Sequence, residues 1–340
     1  TMTGGTPDLG ITGTLTLSTV DLNTADGTFD RLDWPTAFGA PLNPGAGLPT
    51  PQDLTIGLTS DVQRRTSGSV TGLSLTLGPA TLTGSASFAE ELRTMDVDTN
   101  GDETADLLGA DVQSVALVVG GTPIGLSVAS LADLDINSGS LAFASVTPEG
   151  ATAARYSAIQ LGNVTTTMTG GTPDLGITGT LTLSTVDLNT ADGTFDRLDW
   201  PTAFGAPLNP GAGLPTPQDL TIDLTGDLQR RTSGAVTGLS LTLGPATLTG
   251  SASFAEELRT MDVDTNGDET ADLLGADVQS VALVVGGTPI SLSVASLADL
   301  NISSGSLAFA RVTPAGATAA RYSAIQLGNV TTTMTGGTPD

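Results

Sequence analysis

The sequence predicts an all-β protein made of tandem antiparallel β-sandwich or barrel-like modules, with a parallel β-helix as the alternative. Three observations carry this. Short stretches alternate apolar and Thr/Ser residues with a period of two. A sustained 3.6-residue apolar stripe is missing. The chain also repeats itself: TMTGGTPDLGITGTLTLSTVDLNTADGTFDRLDWPTAFGAP opens at Thr1 and again at Thr167, and TMTGGTPD opens once more at Thr333, a period of 166 residues. That period is the size of a whole domain and far longer than a solenoid coil.

Alternation marks strands at Ile11, Gly13, Leu15 and Leu17. It recurs at Leu54, Ile56 and Leu58, at Leu73, Leu75 and Leu77, at Ile124, Leu126 and Val128, and at Leu141 and Phe143. Between the first two sets, Pro35 to Pro51 carries five prolines, a composition that predicts a long ordered loop or an inter-module linker. Ala86 to Met95 is the one stretch with the makings of a short helix. A Gly-x-Leu/Ala-x-apolar pattern recurs at Gly13, Gly84 and Gly139 and suggests similar hairpins. Aromatic residues make up only 4% of the chain, so the core is expected to be Leu, Val, Ile and Ala.

The domains are therefore expected at 1–166, 167–332 and the start of a third copy at 333–340. If the Pro-rich stretch is a linker, the physical module is permuted to about 52–200. The copies differ at nine positions: Gly57/Asp223, Ser60/Gly226, Val62/Leu228, Ser69/Ala235, Gly125/Ser291, Asp135/Asn301, Asn137/Ser303, Ser145/Arg311 and Glu149/Ala315. Such recent duplicates point to a tandem array, and a chain opening at Thr1 reads as a window on something longer. The passage from Val164 to Thr178 supplies apolar anchors without a Gly/Ser tract and is expected to be sheet.

Composition narrows function. The net charge is −25, every basic residue is Arg, and His, Cys and Lys are absent. Ser-His-Asp and Cys-His nucleophiles, Schiff bases, and His- or thiolate-ligated metals are thereby excluded. The acidic surface repels phosphate backbones and anionic headgroups, so neither nucleic acid nor a membrane surface is an expected partner. No apolar run reaches the roughly 20 residues of a bilayer helix.

Acids cluster rather than spread. Of 18 in the first period, eight lie in residues 90–111 and four in residues 21–33. The larger cluster, Asp96-Val-Asp98-Thr-Asn100-Gly101-Asp102-Glu103-Thr-Ala-Asp106, places oxygen side chains at alternate positions before a glycine, the pattern that wraps a hard cation. Calcium is the expected ion, held by Asp96, Asp98, Asn100, Asp102 and Asp106 and, in the second copy, by Asp262, Asp264, Asn266, Asp268 and Asp272. The plainer reading is an acidic Asn-Gly turn. A looser set, Asp21, Asn23, Asp26 and Asp30, repeated as Asp187, Asn189, Asp192 and Asp196, is a secondary calcium candidate. Arg64-Arg65 and Arg230-Arg231 are either exposed or dock carboxylates of a neighbouring module. Trp34 is either a core plug or a sugar platform. Glu90-Glu91 has the residue types of a glycosidase pair, but carboxylates are abundant here.

The acidic loop resembles the calcium loops of EF-hand, dockerin and thrombospondin type 3 modules, with Leu107 where an EF-hand places its last glutamate. The whole organisation, Cys-free and rich in Thr, Gly and Asp in near-identical tandem, resembles the repeat regions of giant bacterial calcium-dependent surface adhesins and related large exoproteins. That resemblance implies a non-catalytic extender or fibre-forming element on the bacterial cell surface, rigidified by calcium. Its partners would be neighbouring repeats, with lateral association into fibres as a further possibility. A filament or S-layer-like polymer is the alternative reading, and a carbohydrate-binding or carbohydrate-active module the remaining one.

Overall fold

In the computed structural model, β-strands dominate and every pairing among the described residues is antiparallel. The structure describes residues 2–3, 12–26, 29–38, 40, 42–77, 80–121, 123–128, 132–169, 177–193, 195–243, 246–285, 289–294 and 298–335. The strands are β1 (Met2–Thr3), β2 (Thr12–Leu22), β3 (Val62–Leu77), β4 (Ala80–Val97), β5 (Leu107–Val119), β6 (Ile124–Val128), β7 (Ala132–Thr147) and β8 (Tyr156–Thr169). The second copy supplies β9 (Ile177–Ala191), β10 (Leu228–Leu243), β11 (Ala246–Val263), β12 (Leu273–Val285), β13 (Ile290–Val294), β14 (Ala298–Thr313) and β15 (Tyr322–Thr335). All fifteen join one sheet, thirteen of them along a single path.

The antiparallel all-β expectation therefore holds, with two corrections. Among the described residues no ladder is parallel, which removes the β-helix, and the sheet does not close into a barrel. Nor do the copies fold as separate sandwiches. β8 of the first copy pairs β9 of the second, from Tyr156↔Ala191 to Leu161↔Val186 and again from Thr166↔Leu183 to Thr169↔Thr180. The sheet thus continues from one repeat into the next, and the junction strands Tyr156–Thr169 and Ile177–Ala191 are sheet as expected. The residues between them lie outside those described.

Two local expectations fail for physical reasons. Ala86 to Met95 is the middle of β4, because its side chains alternate between two packed surfaces: Ala86, Phe88 and Glu90 on one, Ala89 and Met95 on the other. Leu54 to Leu58 forms no strand and makes a single isolated bridge, Ile56 to Leu42 of the Pro-rich stretch. Pro41 and Pro44 flank the bridge partner Leu42, and Pro49 and Pro51 precede Leu54, so the facing segment lacks ladder donors.

The recurring glycine pattern marks bends in long strands. Gly84 (φ +140°) falls where β4 changes partner from β6 to β5, and Gly139 (φ +127°) where β7 does the same. A Cβ on Gly84 would stand 2.5 Å from the Pro123 carbonyl oxygen, so only glycine fits.

Both sheet faces are buried over much of the first copy. The inner face packs one continuous core through both repeats, including Leu15, Phe88, Leu117, Phe143, Leu183, Phe254 and Leu307. Among the described residues, no helix is long and apolar enough to cross a membrane.

Candidate cation loop and repeat-to-repeat interface

The acidic loop connects β4 to β5 and is organised by Asp98 rather than by Asp96. The Asp98 carboxylate accepts the backbone N–H groups of Gly101 (2.7 Å), Glu103 (2.8 Å) and Asn100 (3.0 Å). Asn100 Oδ1 accepts from Asp102 N, and Asp102 Oδ1 accepts from Thr104 N. Asp106 closes the turn by accepting from Thr99 N and Thr99 Oγ1, whereas Asp96 points away and accepts from Gly109 N. The second copy repeats these bonds at Asp264, Asn266, Asp268, Asp272 and Asp262. Hydrogen bonds from Gly267 and Asn266 hold the Asp264 carboxyl below its ordinary range. Glu103 (φ +66°) and Glu269 (φ +67°) sit in the left-handed region, an uncommon conformation for a residue with a side chain.

Four oxygen side chains thus share one turn, and their type and spacing suit a hard cation. Their oxygens face backbone amides, however, and among the described residues no three acids close on one point. The loop's hydrogen bonds account for its shape without an ion.

The looser cluster has a structural role. Asn189, buried at the end of β9, donates from Nδ2 to Leu198 O and Thr225 O, both at 3.0 Å, and accepts Trp200 Nε1 at 3.1 Å. Asn23 makes the same three bonds with Leu32, Thr59 and Trp34. Every polar atom of the amide group is used, so this Asn clamps both ends of the Pro-rich segment to the sheet. Asp187 is fully buried and bonded to Arg231 Nε at 2.7 Å, while its Oδ1 has no partner among the described residues. Burial outweighs Arg231 and raises its carboxyl to about 6. Asp21, the same position in the first copy, is partly exposed and lies 3.7 Å from Arg65. Asp26, Asp30, Asp192 and Asp196 are partly or fully exposed.

The Arg pairs are strand residues. Arg64 reaches Glu90 at 3.2 Å and Arg65 reaches Glu91 at 2.6 Å across β3 and β4, within one repeat, and Arg230 meets Glu256 likewise. Neighbouring strand residues point to opposite faces. Glu90 is therefore buried inside, its carboxyl raised by burial, while Glu91 lies outside with Arg65 and Arg93. These two carboxylates cannot flank one glycosidic bond.

The Pro-rich segment of the second copy, residues 192–227, is a strap across the outer face of the first copy. Leu198, Trp200, Ala203, Ile222 and Leu224 pack on β5, β7 and β8 residues such as Val112, Ala144 and Ala158, and Leu214 packs on Ala89 and Ala116. Alanines give that face a low relief, which lets the large strap side chains sit close to the backbone. Gly213 lies against it: a Cβ there would come within 3.2 Å of the Ala89 Cβ. Polar contacts fix the register. Asp98 N donates to Ala203 O (3.1 Å), Gln160 Nε2 donates to Asp223 Oδ1 (2.8 Å), and the Arg155 guanidinium covers the Phe195 ring at 4.2 Å. Trp200 is fully buried, whereas Trp34, the tryptophan read from the sequence as a core plug or a sugar platform, is half-buried.

The strap keeps the same internal bonds in both copies. Trp34 N to Leu58 O matches Trp200 N to Leu224 O, and Gln52 N to Gly45 O matches Gln218 N to Gly211 O. It is therefore shaped by its own hydrogen bonds before it meets a sheet. Comparison of the chain with family models, curated proteins and solved structures returned no match.

Proposed function

We propose that this chain is a non-catalytic structural extender of a larger extracellular protein on a bacterial surface, in which each repeat holds the next in a set orientation. The observation that carries this reading is the double junction between the copies, the β8–β9 ladder together with the strap of the second copy lying on the first. A backbone ladder resists bending within the sheet, and a packed strap resists rotation about it. A tandem array joined this way gains length with each copy, which suits spacing rather than turnover. The Cys-free, Lys-free and acidic composition accords with the surface setting.

Calcium belongs to the proposal at the Asp98, Asn100, Asp102 and Asp106 turn and its second copy. Its support is the donor type and spacing, together with the repulsion among five clustered acids that a cation would relieve. The self-assembling polymer remains the second reading, favoured by the open strand edge and exposed apolar side chains at the two ends of the sheet.

Electron microscopy of chains with two, four and six repeats, with calcium and with chelator, tests the extender. Contour length should rise by a constant step per repeat, with little bending between steps. Beads joined by flexible joints would overturn it.

A further inference from the structure

Four polar side chains stand opposite one another across the middle of the sheet. Gln113 on β5 pairs Ser145 on β7, Ser145 pairs Ser157 on β8, and Ser157 pairs Thr190 on β9. Cross-strand partners share a face, and so do residues two apart on one strand. The row therefore lies on the inner face, two residues along each strand from the apolar row of Phe143, Ile159 and Leu188 that belongs to the core. It crosses the repeat boundary, because Thr190 comes from the second copy. Each of its strands is paired along both edges, so the row is interior to the sheet.

A cleft of about 550 Å³ opens over this row, a volume within the range of small-molecule sites. Two parts of its polar lining are set in place. Ser157 Oγ and Thr190 Oγ1 lie 2.7 Å apart, and the Gln113 amide is hydrogen-bonded to the buried Glu90 carboxyl. A third is unsatisfied: Ser145 is only 6% exposed, and its hydroxyl has no hydrogen-bond partner among the described residues. A sheltered hydroxyl without a partner is destabilising, and a bound group that pairs with it recovers the loss.

We propose that this cleft binds a short neutral saccharide at the junction of two repeats. Hydroxyl groups both donate and accept, so Ser145, Thr147, Ser157 and Thr190 suit a ligand whose own polar groups are hydroxyls. Phe143, Ala153 and Ala191 give the cleft an apolar part that matches the C–H face of a sugar ring. Its charges balance, one guanidinium from Arg155 and one carboxylate from Asp192, and Arg155 already covers the Phe195 ring at 4.2 Å. The net charge of −25 further disfavours an acidic glycan. The site goes beyond the extender reading and does not depend on it. The second copy changes the same place in its sequence: Arg311 stands where the first copy has Ser145, opposite Gln279. A guanidinium there takes the space above the row, so Ser145 decides which junction binds.

Saturation-transfer NMR of the whole chain with methyl glucoside, methyl N-acetylglucosaminide, maltose and cellobiose, and with galacturonate as the anionic control, tests the site. At least one neutral sugar should bind, with a dissociation constant of about 1 mM or below by calorimetry. Ser145→Arg gives the first copy the residue that the second already carries, and should weaken binding about tenfold or more. Thr190→Val keeps the β-branch and removes only the hydroxyl that meets Ser157, and should weaken binding about fivefold. Circular dichroism and melting curves matching the unmodified chain verify that both variants fold. Binding of none of the neutral sugars overturns the proposal, as does tighter binding of galacturonate than of any neutral sugar. Sugar binding that either variant leaves unchanged puts the ligand elsewhere and overturns it as well.

Discussion

A single asparagine per repeat decides whether the Pro-rich segment is a linker or a strap. Asn189→Ala leaves Leu198 O, Thr225 O and the Trp200 indole N–H without partners in a buried setting, where each orphaned group costs about 1 to 3 kcal/mol. The expected loss is about 3 kcal/mol or more in urea unfolding, with a smaller loss for Asn23→Ala because Trp34 is less buried than Trp200. Asp187 gives a pH signature. Its folded pKa, about 6, lies above the ordinary aspartate value of 3.8, so the folded chain binds a proton first as pH falls from 7.5, and stability rises. At pH 5 the gain is about 1 kcal/mol relative to pH 7.5, since a tenfold difference in proton affinity between folded and unfolded chains is worth about 1.4 kcal/mol. Asp187→Asn should remove that increment, measured as the change in urea midpoint between the two pH values. Asp264 behaves oppositely: its carboxyl is lowered, so its contribution is complete above the unfolded value and is lost as pH falls below it. Glu103→Gly and Glu269→Gly should each stabilise by about 1 kcal/mol by relieving the left-handed backbone, visible as a raised melting temperature.

At the scale of elements, the strap and the strands obey different rules. Strands such as Leu73 to Leu77 and Leu141 to Phe143 are legible because alternation survives in them. β4 and β5 are harder, since both faces are covered and apolar and small residues run together, as Ala86-Ser-Phe88-Ala89 shows. The strap misleads at Leu54 to Leu58 because the same apolar spacing, as Leu220, Ile222 and Leu224 show in the second copy, serves a packed irregular segment instead of a ladder. Gly213→Gln should lift this element from Ala89. Trp200 would then become accessible to a soluble quencher, while sheet content by circular dichroism stays unchanged. The same substitution at Gly47 should leave the tryptophan fluorescence of a monomeric sample as it was.

For the whole molecule, the acidic loops and the continuous sheet make separate predictions. A cation bound only by the folded chain adds stability by mass action, about 2.7 kcal/mol at a hundredfold excess over its dissociation constant. Calcium should therefore raise the melting temperature and chelator reverse it. Asp102→Asn combined with Asp268→Asn should abolish the response while sparing the Asp98 and Asp264 turns that hold the loop's shape. A melting curve indifferent to calcium would confine these loops to hydrogen bonding. Hydrogen exchange should show the amides of the β8–β9 ladder as protected as those of β3–β4, because both are interior ladders of one sheet.

Order and composition along the chain suffice for the strand period, the 166-residue repeat, the absence of His, Cys and Lys chemistry, and the clustering of acids, because none of these depends on what lies nearby in space. Folding adds what order cannot carry: the copies share a sheet, Asn189 clamps while Asp187 is buried, and the strap covers the preceding repeat. Identical residues occupy different surroundings in the two copies: Asp21 is partly exposed and Asp187 is not, and Trp200 is sealed more completely than Trp34. Burial belongs to a residue's neighbours, and here those neighbours come from the adjoining repeat, which the sequence of one copy does not contain.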